Sequence, residues 1–155
     1  MKQIKYVFVL LLITAFSLQP DSLSAAGMQK DLKIQDVFVR YGKKKNVTMV
    51  ELSNEMLETY GMTRYKSITI KQDNEALAFV RSCLEADQKG ARKIKEVTDD
   101  GGVVSAYYQL PGKDEDINRF VLFKVNKKGV ITLVYIEGDL DSDDLITLLF
   151  TKKDL

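Results

Sequence analysis

Five carboxylates fall within eight residues near the end of the chain: Glu137, Asp139, Asp141, Asp143 and Asp144. Asp139, Asp141 and Asp143 have the alternate-residue spacing of a calcium loop. Such a loop turns on a glycine at its sixth position and closes with a bidentate acid at its twelfth, and here those places hold Asp144 and Phe150. The match fails where the geometry is decided, and helix capping accounts for the acids. A hydrolytic pair made of Glu137 and Asp139 requires both acids in one cleft, with proton affinities pushed apart. Cys83 offers a nucleophilic or redox thiol only if a cation or a helix N-terminus lowers its pKa, and Arg81 is too close in sequence to share its helical face. Its place on an apolar stripe reads as a buried structural thiol. Tyr107, Tyr108, Phe120, Phe123 and Tyr135 are the remaining chemical resource: aromatic residues in strand-like segments that can pack a sheet or border a pocket for an apolar ligand.

What is missing excludes more than what is present. The chain has no histidine, which removes the usual general base, the usual zinc ligand and every Ser-His or Cys-His nucleophile. One cysteine cannot form an internal disulfide, so folding rests on packing. The expectation is a non-enzymatic protein with no catalytic, cofactor-binding or metal-binding residues.

Residues 1–26 read as an export signal. Lys2 and Lys5 give a basic start, an apolar run extends from Tyr6 to Leu18, and Ser24-Ala25-Ala26 supplies the small-x-small pattern that signal peptidase accepts. The run has 13 residues, whereas a membrane-spanning helix needs roughly 20. Cleavage leaves residues 27–155, one domain with enough chain to bury a core. Losing Lys2, Lys5 and Asp21 brings a formal net charge of +1 to zero. An even balance argues against nucleic acid, whose binding requires a basic footprint. No cysteine lies at the cleavage point for lipidation, so a periplasmic or secreted protein without a stable membrane anchor is expected.

The positioning elements follow from periodicity. Gln29 to Lys45 has helical spacing at Leu32, Ile34, Val37, Phe38 and Tyr41, closed by Gly42 and three lysines. Val47 to Leu52 reads as a strand, and Ser53 as the N-cap of a short helix ended by Gly61. Tyr65 to Lys71 alternates as a strand does, and Asp73 can cap a longer helix reaching Gln88. From Arg92 onward strands come in succession: Lys93–Thr98 and Val103–Leu110 around an Asp-Asp-Gly-Gly turn, then Ile117–Val125 and Val130–Glu137 around Asn126–Gly129. Pro111-Gly112 is expected to break the second of these strands. The last two are apolar on both sides in their middle, as central strands covered by two layers are. The acids after Glu137 suit the start of a helix carrying Leu145, Ile146, Leu148 and Leu149, each worth roughly 1.5–3 kcal/mol if buried. The fold class is α+β: an antiparallel sheet with a C-terminal four-strand meander, packed by three to four helices.

The strand-helix unit Val47-Thr48-Met49-Val50-Glu51-Leu52-Ser53 with Met56-Leu57, and the segment Val134-Tyr135-Ile136-Glu137-Gly138-Asp139-Leu140 before the acidic helix start, resemble a group of uncharacterised exported proteins from gut-type Gram-negative bacteria, grouped as domains of unknown function. The resemblance covers nearly the whole mature chain and implies no catalytic residues. Relatives of this kind often carry a lipidated cysteine; this chain departs from them there, so tethering does not carry over. The expected role is contact with an unidentified envelope protein through the sheet or the terminal helix, with weak homo-oligomer formation as a further possibility. The alternative is a small apolar-ligand carrier whose pocket is bordered by Tyr107, Tyr108, Phe120, Phe123 or Tyr135. The Glu137–Asp139 hydrolase is the third reading.

Overall fold

The computed structural model describes residues 32–151. The export segment read over residues 1–26, the start of the helix read from Gln29, and the side chains of Leu149 and Phe150 lie outside the described residues. The elements run α1 (Ile34–Tyr41), β1 (Val47–Glu51), α2 (Asn54–Thr59), β2 (Met62–Ile70), α3 (Asn74–Asp87), β3 (Arg92–Asp99), β4 (Gly102–Asp114), β5 (Ile117–Val125), β6 (Ile131–Gly138) and α4 (Ser142–Thr151). The six strands form one antiparallel sheet in the order β1-β2-β6-β5-β4-β3. The meander β3 to β6 is continuous, and the β1–β2 unit joins it through the β2–β6 pairing, so β5 and β6 are central, as their two-sided apolar character requires.

Alternation divides the sheet between two cores. On one face Ile68, Ile70, Val121, Phe123, Leu133 and Tyr135 pack against α1 and α3. Helix α1 presents Ile34, Val37, Phe38 and Tyr41, and α3 presents Ala76, Val80, Cys83 and Leu84, both at the spacing that keeps one stripe inward. Two aspartates fix these helices. Asp73 Oδ1 accepts from Ala76 N at 3.0 Å and caps α3. Asp87, at the far end of α3, accepts from Lys33 N and Ile34 N, both at 2.8 Å, and satisfies the first donors of α1.

On the other face Met62, Tyr107, Phe120 and Ile136 pack beneath Leu57 of α2, Leu140 of the loop after β6, and Leu145 of α4. Gly61 and Gly138 bring β2 and β6 together at that end. Gly61 turns the chain at φ +68°, and a Cβ on Gly138 would lie 2.4 Å from the Gly61 carbonyl oxygen.

One expected boundary is wrong. Strand β4 does not break at Pro111-Gly112 but continues to Asp114, with a register shift between Leu110 and Asp114. The last partner of β4 on the β3 side is Arg92, opposite Gln109. Pro111 therefore stands beyond the end of β3, where its missing N–H interrupts no ladder, and its carbonyl accepts from Arg119 Nε at 2.8 Å.

Candidate functional site

The two faces are unequally covered. Six strands spaced at about 4.8 Å put some 24 Å between the edge strands, and one helix covers about 10 Å of that. The first face has the fourteen residues of α3 with the eight of α1 beside them. The second has the ten residues of α4 and the single turn-and-a-half of α2, so part of it stays open.

Cross-strand register lays that face out in rows. The row Tyr65–Ile136–Phe120–Gln109 lies toward α4, with Phe120 and Ile136 fully buried. In the next row, Ser67–Val134–Leu122–Tyr107, Tyr107 is buried but Ser67, Val134 and Leu122 are only partly covered, and the third row, Thr69–Thr132–Lys124–Ser105, is polar. Between α4 and the polar row runs an open cleft of about 510 Å³, floored by Leu122 and Val134 and walled by Ile146, Ile94 and Tyr107. Its size and apolar lining fall in the range of small-molecule sites.

Three local devices shape the cleft. Asp141 Oδ1 accepts from Asp144 N at 2.8 Å and its carbonyl accepts from Leu145 N at 3.1 Å, which starts α4. Asn118 Nδ2 donates to Leu140 O at 3.0 Å, and the Tyr107 hydroxyl donates to Ser142 O at 3.3 Å, so two side chains of the sheet hold the start of that helix. Burial, reinforced by the charges of Asp143 and Asp141, pushes the Tyr107 phenol up to about 12. The third device is a bulge. Lys93 pairs with Tyr108 and Lys95 with Tyr107, so Ile94 and Lys95 occupy the space of one residue and both border the cleft.

The aromatic residues do not gather as expected. Tyr107 and Phe123 border the cleft, yet Phe123 packs in the α1/α3 core, as do Tyr108 and Tyr135. Phe120 lies wholly buried against Tyr107, ring centroids 6.2 Å apart. Adjacent residues on a strand face opposite ways, so the rings of Tyr107 and Tyr108 project from opposite faces of the sheet; that signal was present in the sequence. Nothing in the sequence marks Ile94, Leu122, Val134 and Ile146 as one site, because only register brings them together.

Tyr108 opens instead on a second cavity of about 300 Å³ beside α3. Its groups satisfy one another. The Tyr108 hydroxyl donates to Glu96, Lys93 Nζ lies 3.1 Å from the same carboxylate, and the Arg81 guanidinium donates to the carbonyls of Val103 and Gly101, each at 2.9 Å. The Tyr108 hydrogen bond, then that of Lys93, holds the Glu96 carboxyl below the usual range.

The acids of the C-terminal segment remain separate. Glu137 is buried with Tyr135 donating to it, whereas Asp139 is exposed in the loop, its N–H bonded to Gly61 O at 3.0 Å. Neither borders the two cavities. Among the described residues no three acidic or thiol side chains come together as a metal site. Cys83 is buried, and burial raises its thiol, the direction opposite to activation.

A solved structure of a protein of unknown function from Pseudomonas aeruginosa, PA94, is similar over 73% of this chain and 83% of its own, at 13% identity and a TM-score of 0.35. A likeness that loose carries no argument. No curated protein matches the chain. A family model does match, over residues 22–149, and the chain therefore belongs to DUF6108, a family of unknown function.

Proposed function

We propose that this is an exported, non-enzymatic binding protein of the Gram-negative envelope, and that the open cleft beside α4 holds a small apolar ligand. The export reading rests on the basic start, apolar run and Ser24-Ala25-Ala26 of the leader-like segment. The ligand reading rests on one observation: Val134 and Leu122 stay partly exposed on the floor of an apolar cleft walled by the buried Tyr107, beside a row whose central residues are fully buried. An uncharged environment-sensitive dye, N-phenyl-1-naphthylamine, tests it. The dye should bind saturably with enhanced emission, and Leu122→Gln should weaken it at least tenfold at an unchanged far-UV circular dichroism spectrum. Dye binding that ignores Leu122→Gln contradicts the proposal.

A second reading, contact with an envelope protein, is favoured by the β1 edge. Among the described residues strand β1 pairs with β2 alone, and Met49 and Val50 on it are 39% and 42% exposed. An extended segment of a partner, or of a second copy, can add there as a strand. Crosslinking in the host envelope should give one adduct that Met49→Pro abolishes, because the Lys71 N–Asn46 O bond sets an alternation that turns the Val50 N–H to β2 and the Met49 N–H to the free edge; an adduct unchanged by that substitution counts against the β1 edge.

A further inference from the structure

We infer that the cleft selects a single-chain amphiphile with an anionic head, a fatty carboxylate, whose tail lies along the apolar row and whose head sits between Lys95 and Lys124. This rests on the ligand reading above and adds the class of ligand. The cleft is not apolar throughout. Lys95 and Lys124 border it, with the hydroxyls of Ser105 and Thr132 on the same polar side. Ser105 on β4 pairs with Lys124 on β5, and Lys95 stands on β3 opposite the neighbouring Tyr107. The two lysines thus flank β4, two strand spacings across and two residues along, about 12 Å apart at the backbone. Their long flexible stems can bring both ammonium groups onto one carboxylate above Ser105.

The charged residues that line the cleft are both cationic, while Asp143 and Asp141 act on its Tyr107 wall from the start of α4. Among the described residues the ion pairs are Arg40–Glu75, Lys66–Glu51 and Lys93–Glu96, and none includes Lys95 or Lys124. The bulge is what turns Lys95 to this side, since Lys93 and Glu96 pair with each other across the opposite face near Tyr108. The apolar strip is one row wide between α4 and the polar row, which suits one acyl chain. The tail, buried methylene by methylene, supplies affinity and the lysines supply selection.

The test compares dodecanoate with dodecan-1-ol, the same tail with and without the charge, by titration calorimetry below their aggregation limits. Both should bind. At low ionic strength dodecanoate should bind roughly tenfold tighter, since two exposed charge contacts each give a few-fold preference. Added salt should shrink that preference. Lys95→Gln/Lys124→Gln should erase it while leaving dodecan-1-ol binding and the melting temperature unchanged, because both lysines are exposed. Equal affinity for the two ligands, or a preference that survives the double substitution, overturns the inference and leaves the apolar cleft standing. Binding of neither overturns both.

Discussion

Replacing Tyr107 by phenylalanine removes one oxygen from the wall of the cleft and gives a stability change whose sign depends on pH. The hydroxyl donates to Ser142 O at 3.3 Å, a long bond for an O–H donor, in a residue only 8% exposed. Its loss should cost about 0.5–1 kcal/mol at neutral pH, the lower part of the range for a neutral hydrogen bond. The phenol is also pushed up to about 12 by burial, then by Asp143 and Asp141, against an ordinary value of 10. A raised folded pKa means that Tyr107 contributes its full stability below pH 10. Above that the unfolded chain ionises first, and the contribution falls as the pH rises through the folded value. The ceiling of that loss is about 3 kcal/mol, with about half of it gone by pH 11. A phenylalanine side chain has no such loss, and the other buried tyrosines, Tyr108 and Tyr135, titrate in both proteins and cancel. The variant should therefore be less stable at pH 7 and equal to or more stable than the parent at pH 11. Urea unfolding followed by far-UV circular dichroism at the two pH values measures this directly. A gap that stays constant or widens with pH refutes both the burial of the phenol and its role as a tether for α4.

Leu145→Ala should destabilise by about 2–5 kcal/mol, because this fully buried side chain is the main anchor of α4; a urea midpoint moved by the equivalent of less than about 1 kcal/mol would show that α4 is not docked. Gly138→Ala should cost about 2–3 kcal/mol or more, since the new Cβ meets backbone at Gly61 O, 2.4 Å, and Met62 Cα, 2.9 Å; a melting temperature within about two degrees of the parent contradicts that close approach. Glu96→Gln should weaken the protein at pH 7 and not at acid pH. The lowered carboxyl contributes stability above the ordinary glutamate range and loses it as the pH falls through its folded value, so parent and variant unfolding midpoints should converge in acid.

The elements were legible where local chemistry decides them. Ser53 and Asp73 cap their helices as their types suggested, accepting from Met56 N and Ala76 N. The two-sided apolar middles of β5 and β6 announced central strands, and the terminal acids announced a helix start, which Asp141 supplies. What stayed hidden depends on partners. Pro111 reads as a strand breaker until β3 is seen to end before it. The bulge at Ile94 and Lys95 follows no glycine in its run, so nothing local marks it. Two-sided apolar strands call for two layers, but not for a second layer too narrow to cover its face, and the cleft is that deficit. The paired Tyr107 and Tyr108 were the one clue available and had to be separated by alternation.

Ligand should occupy the face beside α4, and methyl NMR with titrated dodecanoate tests that most directly. Resonances of Ile94, Leu122, Val134 and Ile146 should shift together and saturate at one equivalent, while Ile68, Val121 and Leu133 in the opposite core stay in place. Shifts centred on the α1/α3 core, or no saturable shift at all, would contradict it.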